Sequence, residues 1–82
     1  MTVMPKPVWL VRPRPDGGCD YVNFQPDLEG LSSGTIVMRE GSHLPPQIPL
    51  LKHRQRLLLA EAERTCRHLQ QDDGYQNSEP LF

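Results

Sequence analysis

The sequence of 82 residues predicts an α+β fold: a small three-stranded antiparallel sheet with one C-terminal helix packed on one face. Two observations carry this. Three short apolar runs, each ended by proline or glycine, precede residue 40. One longer stretch, from Leu51 to about Gln71, spaces its apolar residues as a helix does. A chain this short makes a single domain, 1–82, with a core at about 8–75. Residues 1–6 are expected to be flexible and, on the residues alone, 76–82 to be an extended, disordered tail.

Val8-Trp9-Leu10-Val11 is β-branched and aromatic and lies between Pro7 and Pro13, so it reads as the first strand. Pro13 to Gly18 is turn chemistry, because proline presets φ and glycine accepts positive φ. Asp20 to Gln25 alternates, with Val22 and Phe24 on one side, and closes an irregular hairpin. After Pro26 comes a polar connector in which Leu28 and Leu31 are available to tuck inward. Gly34 to Arg39 reads as the third strand. Gly41 to Pro49 holds three prolines and is expected to be an extended crossover.

On a wheel of about 100° per residue, Leu51, Leu58, Ala62, Thr65 and Leu69 share one sector, flanked by Leu59 and Cys66. Pro49 suits the first turn and Gly74 the stop. Asp72 and Asp73 oppose the helix dipole, so fraying is expected there. The inner face of the sheet should include Val22, Phe24, Ile36 and Met38. Either Trp9 with Val11 or Val8 with Leu10 joins them, and the size of tryptophan favours the first pair.

A formal charge of −1 argues against a dedicated nucleic-acid binder and against an acidic disordered segment. Cys19 and Cys66 follow no secretory leader, which points to reduced thiols and a cytoplasmic protein. The longest apolar run is Val8–Val11, too short to span a membrane.

Lys52, Arg56, Arg64 and Arg67, with His53, fall opposite the apolar stripe and form a candidate anion-binding ridge. The plainer reading of that ridge is a solvated helix face. Cys66 and His68 point apart at i and i+2 on a helix, and His43 and His53 have no zinc-like spacing, so no metal site is expected. Cys66 is better explained as a small buried residue. No third group orients Cys19, Cys66 or Ser42-His43 for catalysis, and Gly17-Gly18 is a turn and not a phosphate cradle. No enzyme activity and no cofactor are expected. Leu57, off the stripe, together with Leu81 and Phe82, forms a candidate interaction surface. The leading expectation is a non-enzymatic protein-interaction module, binding a second copy or an unknown protein partner. A weak anion or nucleic-acid binder working through the helix ridge is the alternative.

Trp9-Leu10-Val11, Phe24, Gly34 to Met38, Pro49-Leu50-Leu51-Lys52-x-Arg54, Glu61-Ala62, Leu69, Gly74-Tyr75 and Pro80-Leu81-Phe82 follow one another in an order that resembles a known family. It is an uncharacterised domain-of-unknown-function family of short proteins from marine unicellular cyanobacteria, and the resemblance covers roughly residues 8 to 82. Cys66 and Tyr75 stand where that family tends to carry tryptophan. The resemblance implies a soluble cytosolic protein whose tail from Gly74 to Phe82 belongs to the fold. It implies no activity, cofactor or partner.

Overall fold

The structure, a computed structural model, describes residues 7–26 and 35–79. Its elements are β1 (Val8–Pro13), β2 (Cys19–Pro26), β3 (Thr35–His43), β4 (Leu50–Leu58), α1 (Leu59–Asp72) and β5 (Gln76–Ser78). The strands form one antiparallel sheet in the order β4-β3-β2-β1-β5. The sheet thus has five strands and not the expected three; the single C-terminal helix stands. The second correction concerns Leu51–Leu58, which is strand and not the first two turns of the helix. β3 is nine residues long and pairs with β2 along one side, so its outer row of N–H and C=O groups needs a partner. β4 supplies it from Leu50 to Leu58.

The β1–β2 turn is held locally. Gly17 N–H donates to the Arg14 carbonyl at 3.2 Å, and Arg14 N–H to the Gly18 carbonyl at 2.9 Å. Asp16 Oδ1 accepts from Gly18 N–H at 2.9 Å, the local side-chain bond that favours aspartate in turns. Between β3 and β4 the register slips: Glu40 faces His53 while Gly41 faces Leu51, leaving Lys52 as the extra residue of a bulge. Gly41 is required there. A Cβ on it would lie 1.9 Å from the Leu50 carbonyl oxygen and 2.7 Å from the Tyr21 hydroxyl.

α1 starts where Glu61 accepts a hydrogen bond from Leu58 N–H at 3.3 Å, half of a capping box. It ends where the N–H groups of Asp73 and Tyr75 both reach the Leu69 carbonyl, with Gly74 at φ 77°. Arg12 Nη1 donates to the Asp73 carbonyl at 3.0 Å, so the end expected to fray is tied to β1. Leu59, Ala62, Cys66 and Leu69 make the apolar stripe that packs on the sheet.

Beneath the helix lie Leu10, Val22, Phe24, Ile36 and Met38, with Tyr75 closing one end. Each such side chain contributes about 1.5–3 kcal/mol by leaving water. Here the first-strand assignment is corrected: Val8 and Leu10 belong to this face, and the alternation of β1 puts Trp9 and Val11 on the other. The size of tryptophan misled because the far side of the sheet also buries side chains, Trp9, Tyr21, Asn23 and Val37 among them. Downstream, β5 pairs with β1, so the tail joins the sheet over Gln76–Ser78.

Candidate functional site

Two features stand out: the β4 edge and the sheet face turned away from α1. β4 pairs only with β3, so its outer edge is unpartnered among the described residues. Every β4 residue is exposed except half-buried Leu57. Ile48, Leu50, Leu51 and Leu58, the exposed large apolar side chains of the described residues, all lie on β4 or just before it, at 49–86 % exposure. Between the leucines run Lys52, His53, Arg54, Gln55 and Arg56, without a carboxylate.

Register assigns the faces. Trp9, Asn23, Arg39 and Arg54 stand in one row across β1 to β4, and Val11, Tyr21, Gly41 and Leu51 in the next. Trp9, Tyr21, Asn23, Arg39, Pro49 and Leu51 line a cleft of about 220 Å³ on this face. The rings of Trp9 and Tyr21 lie 6.1 Å apart, tilted by 42°. Tyr21 donates its hydroxyl to the Leu50 carbonyl at 3.3 Å, and burial pushes its pKa up while Arg39 pulls the other way. Asn23 Nδ2 donates to the Val8 carbonyl at 3.2 Å, and Arg39 Nη2 to Gln25 Oε1 at 2.6 Å. Asn23 Oδ1 and Arg39 Nε–H, both buried, have no hydrogen-bond partner among the described residues.

On the other side of the sheet, Arg12 stacks on the Tyr75 ring at 4.7 Å and pairs with Asp20 at 2.9 Å. The bond to Asp20 raises the Arg12 pKa, and burial raises that of Tyr75. This cluster is structural: it fastens β1 and β2 to the end of the helix.

The candidate ridge is divided. Lys52 and Arg56 are on β4, while Arg64 and Arg67 are on α1, so no single helix face presents all four. Leu57 is not a lone exposed leucine; it packs against the core cluster. Its suggested companions Leu81 and Phe82 lie outside the described residues, as do Leu28 and Leu31. Cys66 is half-buried against the core and Cys19 is half-buried in β2; both are free thiols, with burial raising each pKa. His68 pairs with Asp72 at 2.8 Å on the exposed side of the helix. Among the described residues no three His, Cys, Asp or Glu side chains are placed to hold a metal ion. No helix among them is long and apolar enough to cross a membrane.

Sequence reasoning missed Asn23, Arg39 and Arg54. The available signal was Asn23 inside an apolar strand: a polar residue between Val22 and Phe24 faces away from their core, yet here it is 1 % exposed.

Fold and site together define a small antiparallel α+β domain with an open basic edge and a cleft on the face turned away from the helix. The chain belongs to the family described as a protein of unknown function (DUF1651), which it matches over residues 8–81. The match establishes the uncharacterised family and says nothing of a marine cyanobacterial source. No curated protein and no solved structure matches the chain.

Proposed function

We propose that this protein is a non-enzymatic interaction module that receives an extended, acidic segment of a partner protein along β4. The observation that carries the reading is the gathering of Leu50, Leu51 and Leu58 on one open edge strand, with Ile48 just before it. A strand edge offers main-chain hydrogen bonds, and alternate side chains set the preference for the added strand. Charge selects the partner. In a symmetric antiparallel pairing of two β4 strands centred on Arg54, that residue faces its own copy and Lys52 faces Arg56. Like charges directly opposite oppose such a dimer, so a hetero-partner rich in Asp or Glu fits better than a second copy. The free cysteines suit a reducing, cytosolic setting.

The test is a binding titration with an alternating glutamate–valine octapeptide against its lysine–valine counterpart. The acidic peptide should bind, weaken with salt, and lose affinity on Arg54→Glu. Equal binding of both peptides, or no binding of the acidic one, would refute the reading.

A further inference from the structure

The cleft on the open face has an unusual polar endowment. Among the described residues Asn23 Oδ1 is an acceptor without a donor and Arg39 Nε–H a donor without an acceptor, and both residues line the same cavity. The orientation of the Asn23 amide is fixed, since its nitrogen donates to a backbone carbonyl that can only accept. Buried polar groups are normally paired, so an unpaired donor and an unpaired acceptor on the cross-strand neighbours Asn23 and Arg39 mark a place for a complementary group.

A second, independent observation lies next to it. Arg39 and Arg54 are direct cross-strand partners on this face, and neither forms an ion pair with a described residue. Two guanidinium groups in that relation repel, and an anion held between them removes the repulsion. The register puts no carboxylate at any described strand position of this face, whereas Asp20 and Glu40 are on the helix side. The overall charge of −1 therefore hides a cationic face.

Size narrows the ligand. At about 220 Å³ the cleft is smaller than the roughly 300–1,000 Å³ that encloses a drug-sized molecule. It accommodates one ring system and leaves any further group outside. The lining of Trp9, Tyr21, Pro49 and Leu51 suits a flat, apolar-faced ring. Asn23 asks that ring for an N–H, and Arg39 for an adjacent acceptor. A fatty acid lacks the donor, and the ammonium of an amino acid would meet two guanidinium groups.

We propose that this cleft binds a nucleoside phosphate, the edge of the base meeting Asn23 and Arg39 and the phosphate lying between Arg39 and Arg54. The base brings donor and acceptor on one edge, and guanidinium pairs bind phosphate well. Seating it requires the side chains over Asn23 Oδ1 and Arg39 Nε to shift, because both atoms are covered in the cleft.

The experiment is a titration of the full chain, followed by amide NMR, with the four nucleoside monophosphates, ribose 5-phosphate, inorganic phosphate and pentanucleotides of single bases. At least one monophosphate is expected to bind with Kd below about 1 mM, shifting the amides around Asn23 and Arg39. Ribose 5-phosphate should bind about tenfold more weakly or worse. Arg54→Gln, on an exposed side chain that the fold does not need, should weaken binding about tenfold, while Arg67→Gln on the helix should leave it unchanged. A pentanucleotide that binds no tighter per base assigns the site to the free nucleotide; a tighter one assigns it to a nucleotide within a strand. Binding of ribose 5-phosphate or phosphate equal to that of the nucleotides, equal effects of the two substitutions, or no binding at millimolar nucleotide would overturn the proposal.

Discussion

Gly41→Ala places one methyl group where β3, β4 and β2 come closest. The added carbon would stand 1.9 Å from the Leu50 carbonyl oxygen, 2.7 Å from Tyr21 Oη and 2.8 Å from Tyr21 Cζ. Neither neighbour is a free chain end: Leu50 is backbone at the start of β4, and Tyr21 is buried and hydrogen-bonded to that same carbonyl. Over-packing of this kind costs about 1–3 kcal/mol. Loss of the Tyr21–Leu50 bond adds about 0.5–1.5 kcal/mol, and the better strand propensity of alanine returns about 0.5–1 kcal/mol. The net expectation is a loss of about 0.5–4 kcal/mol, centred on about 2 kcal/mol, against a total of roughly 4–12 kcal/mol for a chain of this length. Urea unfolding followed by Trp9 fluorescence reads it directly. With a slope near 1 kcal/mol per molar, the midpoint should fall by about 2 M. A change below about 0.5 kcal/mol would refute the reasoning, because it would mean that β4 does not approach β3 at the bulge.

Phe24→Ala, in the centre of the core, should destabilise by about 3–5 kcal/mol, and half-buried Leu57→Ala by clearly less; one series of urea curves checks both. Asp16 has its pKa held below the ordinary 3.8 by the hydrogen bond from Arg14 and then by that from Gly18 N–H. Its contribution to stability is thus complete above the ordinary carboxylate range and lost as pH falls through the lowered value. Asp16→Asn should flatten the acid limb of a plot of Tm against pH, and an unchanged acid limb would count against that pairing. Burial raises the pKa of both Cys19 and Cys66, so at pH 8 each should react with iodoacetamide more slowly than in the urea-unfolded chain.

The hairpin was legible because its loop is dense in proline and glycine and its helix-facing row is apolar, even though the far face also buries Trp9, Tyr21 and Asn23. Val22 and Phe24 alternate with Asn23 and Gln25 because the helix covers only one face. β4 was not legible for the opposite reason. An edge strand exposed on nearly every residue has no buried side to impose a period of two. Its lysine, arginine, glutamine and leucine are good helix formers, and the seven-residue spacing from Leu51 to Leu58 happens to fit a wheel. The end of the helix was readable, since Gly74 takes up positive φ. The candidate site was least readable. It depends on which residues share a row across four strands, and Asn23, Arg39 and Arg54 meet only through the register. The bulge at Lys52, on which that row depends, has no sequence signature beyond Gly41.

Residue-resolved amide hydrogen exchange across Leu50–Leu58, alone and with the acidic octapeptide, tests the central claim most directly. An edge strand bonds alternate amides to its neighbour and turns the others to solvent. The free protein should therefore show alternating protection from Leu50 to Leu58, broken once at the bulge, and the bound protein protection at every position. Continuous protection of the free protein at helical spacing, or outward amides that stay open with the peptide bound, would contradict the account.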